Sequence, residues 1–93
     1  MLKRFDVLLT AGGYAPAPKL DQVSKFYIMQ NPLLTAPFDV TGSPAICVRN
    51  GFSASGLPVG AQIVGRAFDE ATVLRVADAY EQATDWYKRR PPI

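Results

Sequence analysis

The 93-residue sequence contains no histidine and one cysteine, Cys47. Without an imidazole, neither a Ser-His-Asp nor a Cys-His arrangement can be drawn from this chain. A lone cysteine excludes an internal disulfide and a Cys-rich metal site, and it suits a reducing, cytoplasmic setting. The eight carboxylates are scattered, so no metal-ligand cluster and no cofactor site is read from them. Half of the ten basic residues stand at the ends, at Lys3, Arg4 and Lys88 to Arg90. The basic stripe with interleaved aromatics that nucleic acid requires is therefore missing. No run approaches the roughly 20 apolar residues that span a bilayer. The opening MLKRFDVLLTAGGYAPA imitates a secretory signal, but Asp6 interrupts its apolar run and Thr10, Gly12 and Gly13 keep that run short.

What is present is the composition of a globular segment, 48% hydrophobic and 19% charged, enough for one small core. FDVLLT (5–10) reads as a buried strand that leaves through Ala-Gly-Gly. YAPAPKL (14–20) cannot be regular, because Pro16 and Pro18 each remove a donor and push the preceding residue to extended geometry. The stretch 21–31 reads as loop with about one helical turn. LLTAPFDVT (33–41) suits a short helix, with Pro37 in its first turn and Gly42 then Pro44 as the stop. AICV (45–48) and VGAQIV (59–64) are short strands across a loop of turn formers, which predicts an antiparallel pair. Asp69 offers an N-cap oxygen, and Val73, Val76, Ala77 and Tyr80 recur at helical spacing, which predicts a helix over 70–84. The tail DWYKRRPPI reads as irregular. The fold class is thus α/β, with about three short strands and a C-terminal helix.

Candidate chemistry is thin. GLPVGAQIVGR (56–66) carries glycines at 56, 60 and 65. GAQIVGRA has the spacing of a phosphate loop, but arginine and alanine stand where that loop needs lysine and a hydroxyl. GFSAS (51–55) displaces the second glycine of a nucleophile elbow. Lysine activation of Ser24, Ser43, Ser53 or Ser55 is formally open, and nothing in the sequence places such a pair together. Cys47, inside AICV, reads as a small buried hydrophobe.

The run LTAPFDVTGSPAICVRNGFSASGLPVGAQIVGRAFDEATVLRVADAYEQATDW resembles the C-terminal part of amidase signature family enzymes. The landmarks are T-x-P-[FN]-[ND]-x-T-G-x-P-A-I, then G-F, then G-L-P-V-G-x-Q-I-V-G-R-x-F-[DE]-E, then a helix ending near A-Y-E-Q-A. Upstream, FDVLLTAGGYAPAP is similar to the family's D-x-L-L-T-P-T-x-x-x-x-A-P, departing from it at Ala11-Gly12-Gly13. This resemblance implies one incomplete segment, residues 1–93, of a large mixed sheet covered by helices. It also implies hydrolysis of carboxamide C–N bonds through an acyl-serine. The family's Ser-Ser-Lys region precedes the matched stretch, so no catalytic residue, metal or cofactor is assigned here. Phe38 and Tyr27 are expected near the acyl pocket as substrate contacts, with ordinary core packing as the alternative. The implied partners are the missing N-terminal amidase portion, a small amide substrate only in the complete enzyme, and a second copy through self-association. A standalone non-catalytic module and part of a transfer-RNA amidotransferase amidase subunit remain open as alternatives.

Overall fold

The computed structural model describes residues 2–13, 15–30 and 33–91, with Ile28 and Met29 described by backbone alone. Along the chain run β1 (Val7–Ala11), α1 (Tyr27–Gln30), α2 (Ala36–Thr41), β2 (Ala45–Phe52), β3 (Pro58–Gly65) and α3 (Glu70–Ala83). Single 3-10 turns stand at Leu20–Gln22 and Trp86–Lys88. The three strands form one antiparallel sheet in the order β1-β3-β2. β3 is central because AQIV carries apolar side chains on both sides of the pleat. Pro37 sits in the first turn of α2, where its missing donor breaks no helical hydrogen bond. Gly42 closes that helix with φ 71 and donates its N–H to the Phe38 carbonyl, a left-handed cap that a side chain would strain.

Strand alternation and register sort the sheet into two faces. On one, Ile63 and Ala61 oppose Ile46 and Val48 of β2. These residues meet Val73 and Ala77 of α3, with Val7, Val76 and Tyr80 around them. Val73 is 3% exposed, and burying such a side chain contributes about 1.5–3 kcal/mol. The helix lies over β2 and β3. Leu9, opposed to Ile63 on the same side of β1, lies beyond its reach and stays 69% exposed. Gly65 answers the question its spacing raises. A Cβ there would stand 2.5 Å from a Val73 γ-methyl, so this glycine lets the helix close on the strand.

The hairpin is longer than AICV and VGAQIV predict, because Arg49, Gly51 and Phe52 also join the ladder. A register shift between Arg49 and Gly51 absorbs one extra residue. Arg49 opposes Gly60 and Phe52 opposes Pro58. The bulge therefore puts these two side chains, three apart in sequence, on one side of the strand. There they hold the C-terminal turn. Arg49 Nη1 donates to the carbonyls of Trp86 at 3.2 Å and Arg89 at 2.8 Å. The Phe52 ring meets Trp86, with centroids 6.0 Å apart, and lies 4.0 Å below the Arg89 guanidinium. The start of the tail is thereby ordered where the sequence reads as irregular. Within it, the hydrogen bond to Asp85 and the attraction of that carboxylate hold the exposed Lys88 ammonium above the usual lysine range.

Three expectations fail. The strand read as buried, β1, has no buried residue, because it is an outer strand. Asp69 does not cap the α3 backbone with its side chain; its carboxylate accepts the Thr72 hydroxyl at 2.8 Å instead. Cys47 is exposed. A continuous apolar run predicts burial on both faces, but β2 is an outer strand, and only its Ile46 and Val48 side packs under the helix. Cys47 points the other way.

The surface is larger than the mass warrants. The chain exposes 7248 Å², whereas a compact monomer of 10.1 kDa exposes about 5,300 Å². Its radius of gyration is 14.9 Å, against about 12.3 Å for a compact domain of this length. Dimensions of 43 × 32 × 17 Å are those of one sheet with a partial covering. Phe5, Leu20, Val40, Phe68 and Leu74 are all more than half exposed.

Candidate functional site

The sheet face away from α3 carries the one buried polar side chain of the described core, Gln62 at 2% exposure. Gln62 opposes Thr10 of β1 and Cys47 of β2. Its Nε2 donates to the Thr10 hydroxyl at 2.9 Å and to the Leu34 carbonyl at 3.3 Å, and the Thr10 hydroxyl donates onward to the Ala11 carbonyl at 3.2 Å. A buried amide left without partners would cost about 1–3 kcal/mol, so these contacts bind the approach to α2 onto the central strand. Sequence reading missed Gln62 as a positioning group. The available signal was one polar residue inside an apolar strand core.

Beside it, the Gly12 N–H donates to the Gly60 carbonyl at 3.0 Å, extending the β1–β3 ladder past Ala11. Gly12, Pro16, Cys47, Val59 and Gly60 line an open groove of about 360 Å³. Gly60 contributes no side chain, and the Cys47 sulfur borders the groove.

Phe38 lies within α2 and is half-buried; Tyr27 opens α1 and is half-buried as well. The two rings stand on separate short helices, and the ring pair found among the described residues is Phe52 with Trp86. Phe38 belongs to the segment that Gln62 holds. Tyr27 is positioned through the Ser24 turn, where the Ser24 carbonyl accepts the Tyr27 N–H at 3.1 Å.

The serines are arranged for local structure. Ser24 donates to the Gln30 side-chain oxygen at 3.0 Å, Ser43 shares a hydrogen bond with the Thr41 hydroxyl at 2.9 Å, and Ser53 and Ser55 share one at 2.9 Å across the hairpin turn. Among the described residues no serine hydroxyl meets a lysine, and no group of three metal-ligating side chains converges. This face can wall a pocket and hold it in shape. Its contacts among the described residues supply no activated nucleophile.

The family model described as Amidase matches residues 1–74. The glutamyl-tRNA(Gln) amidotransferase subunit of Geobacillus kaustophilus strain HTA426 is 44% identical over 95 residues, covering 100% of this chain and 19% of the relative. Its counterpart in Brevibacillus brevis is 46% identical over 91 residues, covering 94% and 18%. Among solved structures, the counterpart from Thermotoga maritima superposes with a TM-score of 0.78 at 36% identity, over 90% of this chain and 19% of that one. The 6-aminohexanoate cyclic dimer hydrolase superposes with a TM-score of 0.76 at 29% identity, over 94% and 21%. The chain thus spans about a fifth of the length of the relatives it matches. With the family model covering most of its residues and the same α/β unit recurring inside larger members, this chain belongs to the amidase family.

Proposed function

We propose that this chain is the C-terminal part of an amidase that hydrolyses carboxamides, contributing sheet, closing helix and pocket wall to a site whose catalytic serines and lysine lie in a portion that precedes it. In the complete enzyme a serine Oγ attacks the amide carbon and ammonia leaves, giving an acyl ester. Water then cleaves that ester to the carboxylate and returns the serine. Phe38 and Tyr27 serve there as apolar contacts to a small amide substrate, with Gln62 keeping the Phe38 segment in register. The chain works without cofactor, nucleic acid or membrane, in the cytoplasm. No helix of the described residues is long and apolar enough to cross a membrane. By itself the chain is inactive and self-associates.

The observation that carries the reading is an α/β unit matching almost end to end a fifth of two solved amidase-type chains, with a surface far larger than its own mass requires. A second reading, the corresponding part of a transfer-RNA amidotransferase amidase subunit, is favoured by the names of the relatives that cover the whole chain. Mixing the chain with a relative's amidotransferase subunit that lacks the matched segment, then assaying ammonia release from simple amides and from glutamine, tests both. Ammonia release only in the mixture is expected, and the preferred substrate separates the two. A mixture as inactive as its parts, in which the chain stays unbound, would favour a standalone non-catalytic module.

A further inference from the structure

Between β3 and α3 the chain turns within four residues, Arg66 to Asp69, closed by the Asp69 N–H donating to the Arg66 carbonyl at 3.0 Å. The third position of this turn is Phe68, with φ 63, the one non-glycine residue of positive φ among the described residues. Glycine or asparagine is the residue such a position favours, because a Cβ crowds the backbone there. The Phe68 ring is 94% exposed, so packing within this chain does not compensate the strain.

The mount beneath the ring is rigid. Arg66 Nε donates to the Leu2 carbonyl at 2.7 Å, its Nη2 donates to the Phe5 carbonyl at 3.0 Å and to Asp6 at 3.3 Å, and its Nη1 stands 4.0 Å from the Asp69 carboxylate. The turn is thus tied to the segment entering β1 and to the start of α3. An aromatic side chain is held on a fixed, strained backbone and presented to the outside.

We propose that Phe68 is the anchor by which this segment docks into an apolar pocket on the remaining portion of the amidase. The proposal rests on the functional reading above. Strain retained at an exposed ring implies a contact made elsewhere, and buried aromatic anchors dominate docking energetics. The occupant follows from size. The surplus of about 2,000 Å² over a compact monomer is that of one side of a large obligate interface, and relatives contain this unit as about a fifth of a longer chain.

The test compares wild type with Phe68→Gly, and with Phe68→Asn as a second variant that tolerates the same φ. Each is unfolded in urea alone and titrated against a relative's amidotransferase subunit lacking the matched segment. The expected result is a urea midpoint unchanged or raised, because strain is relieved, together with at least a tenfold loss of affinity for the truncated relative. Unaltered affinity would overturn the proposal while leaving the functional reading in place. So would a lowered midpoint in both variants, which would mean that the ring packs within this chain. Loss of self-association with unaltered heterologous binding would make the occupant a second copy and overturn it likewise. Failure of wild type to bind the truncated relative would remove the functional reading and this proposal with it.

Discussion

Gln62 and Thr10 stand directly opposite each other on β3 and β1, joined by a 2.9 Å hydrogen bond from the Gln62 amide to the Thr10 hydroxyl. The same amide reaches the Leu34 carbonyl, so one side chain couples an outer strand, the central strand and the approach to Phe38. Gln62→Leu keeps the volume and removes both donors. A loss of about 1–3 kcal/mol is expected in urea unfolding, with faster amide hydrogen exchange over residues 35–41. Unchanged exchange there would mean that the α2 segment is held by other contacts.

Gly65→Ala should destabilise by about 1–3 kcal/mol, because the new methyl overlaps a stiff, β-branched neighbour. Combining it with Val73→Ala supplies space, so the double variant should lose less than the two single losses added together. Additive losses in thermal melts would place the strain elsewhere.

Cys47 should react in native buffer with a thiol reagent at a rate close to that of the unfolded chain, because its side chain lies on the uncovered side of an outer strand. A rate suppressed more than tenfold would show that this side is shielded by association. Dilution would then restore the reactivity.

Arg49→Ala should release the 86–89 turn, at a cost of about 1–2 kcal/mol for two hydrogen bonds from a charged donor. Trp86 emission should shift to the red and tryptic cleavage at Lys88 and Arg89 should accelerate. Arg49→Lys should recover only part of this, because a shorter ammonium lacks the planar guanidinium that stands 5.9 Å from the Phe52 ring centroid. Identical cleavage rates in all three proteins would mean that ring packing alone holds the tail.

The sheet order leaves the outer edges of β1 and β2 without strand partners among the described residues, and the exposed Leu9 sits on β1. An open edge is a template for another strand. The melting temperature of the chain alone should therefore rise with concentration, by about 1.4 kcal/mol of apparent stability per tenfold for a dimer. A melting temperature constant over a hundredfold dilution would leave the chain a stable monomer.

Periodicity and turn chemistry alone carried most of the element order. Val73, Val76, Ala77 and Tyr80 marked α3 because a helix must turn one stripe to the core, and Pro37 with Gly42 bounded α2 because each constrains a local dihedral. The family resemblance was legible for the same reason: glycines and prolines at turns and close approaches are local requirements written directly in the chain.

What the tertiary structure decided is everything that depends on which strand lies in the middle. AICV and VGAQIV look alike as apolar runs, yet β3 is covered on both faces while β2 is covered on one, so Val64 is buried and Cys47 is not. The bulge that aligns Arg49 with Phe52, the reach of Gln62 to Leu34, and the overlap that keeps residue 65 a glycine all join groups distant in sequence. Local propensity holds no information about such meetings, because they arise from register and from the placement of a helix over two strands of three.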